Sequence, residues 1–244
     1  MIDLWKKFSI TYEKEDFIIK IINIANTNYN LETYPVLKMQ NKLVRYENDS
    51  MLTDYNWHTN TILPLNKIAN INVFTNQIFY SHAVKKHIIQ MHSSIVDYNG
   101  KGLIFLGPSG IGKTTMAELW NRYRKAKILN GDMTFVQNGE SQIIGWGTPW
   151  HGSSIYCENS KVSIRALIIL KQSSVNIIRE LRDFEKTQTV SNNIIYPRWL
   201  ENGMELCLET LDHLLSKIPV YELSCRPDEE AVELTEKTIF GREH

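Results

Sequence analysis

The stretch Gly107-Pro108-Ser109-Gly110-Ile111-Gly112-Lys113-Thr114-Thr115 decides the fold of this 244-residue chain. It fits G-x-x-x-x-G-K-[ST] at Gly107, Gly112, Lys113 and Thr114, the pattern of a loop that cradles phosphate groups. A chance match is expected in only about 1% of chains this long, so context matters more than coincidence. The context agrees. An apolar run, Gly102-Leu103-Ile104-Phe105-Leu106, reads as a buried strand, and Met116, Leu119, Trp120 and Tyr123 give the stretch from Lys113 a helical pattern.

This order suits a polyphosphate. Gly107, Gly110 and Gly112 allow a backbone that turns its N–H groups inward, with no Cβ in the way. The following helix adds unsatisfied donors and partial positive charge at its N-terminus. Lys113 is placed for the β- and γ-phosphates, the Thr114 hydroxyl for Mg²⁺, and Thr115 for the α-phosphate. The whole stretch, with Pro108, Ser109 and Ile111, is therefore the expected nucleotide-binding segment, and ATP with Mg²⁺ the expected cofactor pair. No N-K-x-D guanine motif follows the loop, so a GTP-dependent switch has little support.

Composition narrows the class. Lys plus Arg and Asp plus Glu number 27 each, and a net charge of zero argues against nucleic acid or an anionic membrane as partner. The start, Met-Ile-Asp-Leu-Trp-Lys-Lys, lacks the apolar core of a signal peptide, and no stretch approaches the ~18 apolar residues of a membrane span. Cys157, Cys207 and Cys225 are scattered and odd in number, as in reduced thiols of a cytoplasmic protein.

Along the chain, residues 1–82 read as a β-rich lobe, Asn-rich and broken by Pro35 and Pro64, with strands over 17–24, 36–39 and 71–80. Residues 83–244 read as the nucleotide-binding core. A helix is expected over 83–91, then a strand from His92 joined through Asn99-Gly100 to the phosphate-loop strand as an antiparallel hairpin. Lys127–Asn130 reads as a short strand ending at Gly131-Asp132. A second hairpin turns at Asn138-Gly139, and Val162–Lys171 is a buried strand interrupted by Arg165, either at a sheet edge or aimed at the site. Leu200–Ile218 is expected as a helix whose stripe of Met204, Cys207, Leu208, Leu211, Leu214 and Leu215 is core. Strand Pro219–Cys225 and a last helix opened by Pro227, with Asp228, Glu229 and Glu230 in its first turn, complete the chain. The expected fold is mixed α/β with a largely antiparallel sheet.

His92-Ser93-Ser94 ahead of the loop, the loop itself, and Ile128-Leu129-Asn130-Gly131-Asp132 soon after its helix resemble the HPr kinase and phosphoenolpyruvate carboxykinase class of P-loop proteins. Gly147-Thr148-Pro149-Trp150 and Cys225-Arg226-Pro227-Asp228-Glu229-Glu230-Ala231-Val232 look like signatures of the HPr-kinase-like kinases found beside lasso peptides and other ribosomally made peptides. The resemblance covers residues 86–240. It implies a kinase core of that type, with His92 at the phosphoryl-transfer centre and Asp132 as the second of two adjacent aspartates serving as general base or metal ligand. Two departures stand out. Gly131 occupies the place of the first aspartate, and the Arg-Gly-Leu-Gly signature of bifunctional HPr kinases is missing, with Gly-Thr-Pro-Trp-His151-Gly in the comparable region.

Candidate site residues are thus Asp132, His92 and Lys113 for catalysis, Thr114 and Asp132 for metal, and His151 and Arg226 for substrate or phosphate. Asp132 has a turn-forming or capping alternative, His92 a structural one where helix meets strand, His151 a surface-loop one, and Arg226 a capping or ion-pair one. The expectation is an ATP-dependent kinase acting on a hydroxyl, most simply a peptide serine. A nucleotide-binding accessory protein and a kinase of free serine are the alternatives, and homo-oligomerisation is left open.

Overall fold

The computed structural model describes residues 18–21, 41–64 and 68–241 and divides at the Ala83–Val84 peptide into two compact units, each taken by itself below. In the first, β1 (Ile18–Ile21), β2 (Asn41–Tyr46), β3 (Asp49–Asp54) and β4 (Thr59–Leu63) form a sheet in the order β1-β4-β3-β2. β1 runs parallel to β4 and the other pairs are antiparallel. The β3–β4 turn is shaped by Asp54, whose carboxylate accepts the N–H groups of Asn56, His58 and Thr59 at 3.0, 2.9 and 2.8 Å. The strand expected over 17–24 is described at Ile18–Ile21, and the one over 36–39 lies outside the described residues.

The third strand expected there is instead a helix, α1 (Ile68–Ala83). Its β-branched and aromatic composition favours a strand, but its buried positions, Ile71, Phe74, Thr75 and Ile78, fall at helical spacing. Periodicity overrides propensity here, because β-propensity largely reports packing context. The helix expected over 83–91 fails for the same stretch of chain. α1 ends at Ala83, a 3₁₀ turn spans Val84–Lys86, and β5 (Ile88–Tyr98) is already extended four residues before His92.

β5 organises the second unit. Its C-terminal part pairs antiparallel with β6 (Lys101–Leu106), and Asn99 and Gly100 make the connection at φ 53° and 78°, the left-handed pair that a two-residue hairpin needs. Further along its edges it pairs with β7 (Lys127–Asn130), β8 (Met133–Asn138) and the short β12 (Ile194–Ile195). β8 pairs with β9 (Ile143–Trp146), β9 with the start of β10 (Lys161–Gln172), and β10 with β6, so these strands close into a ring. From β10 the sheet continues to β13 (Val220–Cys225) and the edge strand β11 (Ile177–Leu181). Among the described strands of this sheet only β6, β10 and β13 run parallel to a neighbour, so the sheet is mixed and largely antiparallel, as expected.

Helices α2 (Lys113–Arg124) and α5 (Glu229–Phe240) share a core with β6, β10 and β13. It includes Leu103, Phe105, Met116, Trp120, Ile168, Leu223, Val232 and Ile239. Trp120, Tyr98 and Phe240 meet edge to face with centroids 5.3, 5.4 and 6.3 Å apart, which fixes α2 against β5 and α5. Asp228 caps α5, accepting the Ala231 N–H at 3.0 Å, so it sits just before the first turn rather than within it.

Between them in sequence are α3 (Asp183–Ser191) and α4 (Gly203–Lys217). Cys207, Leu211, Leu214 and Leu215 of α4 are buried, but Met204 and Leu208 are 44% and 45% exposed, so the apolar stripe is narrower than expected. Arg165 lies at a bulge in β10, an interior strand, and donates to the Ile239 carbonyl at 3.3 Å. It is tied to the last helix and takes neither place expected for it.

Candidate active site

The phosphate loop leaves the end of β6, beside the ends of β10 and β13 to which β6 is linked by parallel pairing. The carboxyl ends of parallel strands are where open α/β sheets bind ligands. Gly107, Gly110 and Gly112 have φ of 143°, 79° and 110°, so the loop uses the backbone freedom its glycines supply. Gly112 precedes α2 with no side-chain cap, which leaves the first-turn N–H groups to a ligand. A cleft of about 350 Å³ adjoins the loop, lined by Gly110, Gly112, Thr115, Gln172, Cys225 and Arg226 among others. Burial pushes the Cys225 thiol up to about 11, so it faces this cleft as an unreactive thiol.

Lys113 is only 6% exposed, and its ammonium donates to the carbonyls of Gly107 and Pro108 at 2.9 and 3.1 Å. Burial lowers its pKa, and the negative charge of Asp132 opposes that shift. The two groups therefore share one electrostatic site. Thr114 donates its hydroxyl to the Gly131 carbonyl at 2.9 Å, which joins the start of α2 to the turn that carries Asp132.

Asp132 and His92 meet, with Nε2 and Oδ1 3.2 Å apart. The hydrogen bond from His92 does most to hold the Asp132 carboxyl below its ordinary value; burial opposes, and the charges of His92, Lys113 and His151 assist. His92 lies within β5, opposite Met133, rather than where a helix meets a strand. Its side chain is 34% exposed and its ring faces Asp132. His151 belongs to the loop after Trp150 and acts on Asp132 by its charge, while its own ring nitrogen Nδ1 bonds the Ser154 carbonyl.

Arg226 lines the cleft, but its Nε, Nη1 and Nη2 donate to Asp228 at 2.8 Å, the Ser174 carbonyl at 3.0 Å and Glu230 at 2.7 Å. The structure thus brings Lys113, Thr114, Asp132, His92 and His151 together and ties Arg226 into the start of α5.

Further residues that hold the site were not singled out by the sequence. Buried Asn130 accepts the N–H groups of Asp132 and Met133, both at 2.9 Å, and donates to the carbonyls of Thr148 and Trp150 at 3.1 and 3.0 Å. It moulds the Asp132 turn and docks the Thr148–Trp150 segment on it. An Asn directly before Gly-Asp is an Asx-turn signal and was legible in principle. Asn193 accepts the Gly107 N–H at 2.8 Å and, through its carbonyl, the His92 N–H at 2.9 Å. It links the loop entry to the histidine from 86 residues away, a contact no local pattern announces.

One carboxylate and one hydroxyl fit Mg²⁺, which is commonly held by one or two protein oxygens and the phosphates of its nucleotide. Thr114 and Asp132 offer one hydroxyl and one carboxylate on either side of Gly131, whose carbonyl accepts the Thr114 hydroxyl.

No protein-family model matches the chain. The HPr kinase/phosphorylase of Mycoplasmopsis pulmonis is 23% identical over 135 residues, which are 50% of this chain and 40% of that protein. The chain thus spans less than half the length of that curated relative. Among solved structures, the Hpr(Ser) kinase/phosphatase from Coxiella burnetii aligns with a TM-score of 0.36 at 12% identity, over 63% of this chain and 95% of that one. The sequence thus shows a weak similarity to an HPr kinase/phosphorylase. No helix among the described residues is long and apolar enough to cross a membrane.

Proposed function

We propose that the unit beginning at Val84 is a kinase core that transfers the γ-phosphoryl group of Mg·ATP to a hydroxyl, most simply a serine of a small peptide. The single observation that carries the reading is the meeting of Asp132 with His92 at 3.2 Å, in a site whose charge also acts on Lys113 of the phosphate loop. The sequence similarity to an HPr kinase/phosphorylase supports the same reaction class.

Lys113 exchanges the Gly107 and Pro108 carbonyls for β- and γ-phosphate oxygens, and the uncapped N-terminus of α2 donates to the same anion. Thr114 and Asp132 would hold Mg²⁺, which would supply charge neutralisation at the phosphates. His92 fixes the direction of the Asp132 carboxylate and favours its ionised form. The acceptor hydroxyl donates its hydrogen bond to that carboxylate, which aims the hydroxyl oxygen at the phosphorus and takes the proton. Positioning does most of the work, because a loose phosphoryl-transfer transition state asks little covalent help of the protein.

A peptide acceptor of the lasso-precursor kind is favoured by the Gly147–Trp150 and Cys225–Val232 segments named above, and a cytoplasmic setting goes with it. The unit up to Ala83 is proposed as a separate lobe. The test incubates the protein with Mg·ATP and serine-containing peptides and reads an added phosphate by mass spectrometry. Phosphate on a peptide serine is expected. Mg·ATP binding with no modification of any peptide or of free serine favours the second reading, a nucleotide-binding accessory protein, for which the missing carboxylate at Gly131 speaks.

A further inference from the structure

Gly131 is a glycine for a reason its backbone does not explain. Its φ lies outside the left-handed region, where the glycines of the phosphate loop are found. The reason is steric. A Cβ at 131 would stand 1.9 Å from Ser154 Oγ and 2.7 Å from Ser154 Cβ. Rotating the serine side chain clears the first contact but not the second.

Ser154 is itself held in place. Its N–H donates to the His151 carbonyl at 2.9 Å, its carbonyl is bonded by the His151 ring, and its hydroxyl accepts the Tyr156 N–H at 3.2 Å. The same turn touches the next residue of the strand end. A Cβ on Gly152, whose φ is 56°, would come 2.1 Å from Asp132 Oδ2. Gly131 in turn donates to the Tyr156 carbonyl at 3.3 Å and accepts the Thr114 hydroxyl.

We infer that the turn His151–Ser154 is a strap that positions Asp132. The Gly152 backbone bears on Oδ2 while His92 holds Oδ1, and Ser154 fills the space in front of Gly131 that a side chain would need. Gly131, Gly152 and Ser154 are one matched set. A second carboxylate at 131 and this strap exclude each other, so the strap secures a single carboxylate in one orientation. Ser154 is a positioning residue, acting through Asp132. The inference rests on the kinase reading for its consequence but not for its geometry.

The test is a mutant cycle read in two ways. Gly131→Ala puts a Cβ into Ser154 and should lower the melting temperature. Ser154→Gly should restore it, because it removes both clashing atoms, whereas Ser154→Ala should not, because it keeps the Cβ at 2.7 Å. With Mg·ATP and a phosphorylated peptide as the assay, Gly131→Ala should reduce kcat about 10²-fold with ATP affinity unchanged, the scale expected for ~1 Å of misplacement. The Gly131→Ala/Ser154→Gly pair should recover most of that loss. If Gly131→Ala does not fold, Gly152→Ala carries the kinetic arm with the same expected split.

Equal rescue by Ser154→Ala and Ser154→Gly, or a Gly131→Ala protein as stable as wild type, overturns the matched set. A folded but destabilised Gly131→Ala or Gly152→Ala protein with normal kcat overturns the positioning role. The melting temperatures need no activity. A wild type that transfers no phosphate therefore counts against the kinase reading alone, and the cycle still decides the strap.

Discussion

The phosphate loop is drawn from consecutive residues, Gly107–Thr115, whereas the carboxylate site that shares its field gathers His92, Asp132 and the 151–154 strap from three separate stretches. The loop's shape is written locally. Its glycines permit the turn, and its lysine folds back on loop carbonyls within the same segment. The carboxylate site has no such local script. Its geometry depends on Asn130, Asn193 and the packing of Gly131 and Gly152 against distant atoms. A binding element can therefore form wherever a strand, a glycine turn and a helix follow one another. The carboxylate site needs segments distant in sequence to meet.

If the two regions divide the labour in this way, damage to each should have a different signature. The largest effect is expected for His92→Gln, which lets the proton-accepting carboxylate of Asp132 drift and should lower transfer by about 10²-fold or more, the scale of a misplaced catalytic group. Mg·ATP affinity and melting temperature should barely move, because the side chain is partly exposed. A thermal scan and a peptide phosphorylation assay on the same preparation check this; a destabilised but fully active variant would retire the role.

Lys113→Ala should act on the other side of the comparison. It removes a charge-assisted contact worth roughly 1.5–3 kcal/mol, so calorimetry should show ATP affinity reduced by about ten- to a hundredfold with the fold intact. Unchanged ATP binding would remove the phosphate-loop assignment.

Asn130→Ala should blur the distinction, because it strips the acceptor from two backbone N–H groups and unpins the Thr148–Trp150 segment. A stability loss of about 2 kcal/mol is expected in urea denaturation, with ATP affinity falling less than transfer. Equal loss of both would mean the regions are not separable.

The smallest effect is in acid. Asp132 has its pKa lowered on folding, so its contribution to stability is complete above the ordinary carboxylate value of about 4 and is lost as pH falls through the lower folded value. The stability difference between wild type and Asp132→Asn should thus be constant above about pH 5 and shrink below pH 4. A difference that grows in acid would reverse the sign assigned to Asp132.

The same contrast explains what the sequence made legible. The loop, the Asn99-Gly100 hairpin, β7 ending at Gly131-Asp132 and the buried β10 follow from local pattern, and each is present. Residues 71–80 misled because their composition is that of a strand while their buried positions keep a helical period. The stretch after Ala83 misled because β5 begins before His92. Met204 and Leu208 belong to the apolar pattern of α4 but face outward, which spacing alone could not distinguish from core. Asn193 and the Gly131–Ser154 match were beyond reach, since both are contacts between segments whose approach only the closed ring defines.

The most direct test of the central claim, one site with separable binding and transfer, is Asp132→Asn measured for Mg·ATP affinity and for peptide phosphorylation in parallel. The substitution keeps the shape that Gly152 and His92 contact and removes the charge. The account predicts ATP affinity within a few-fold of wild type and phosphoryl transfer reduced by about 10²-fold or more, since the carboxylate is needed chiefly in the transition state. Transfer at the wild-type rate by Asp132→Asn would contradict it.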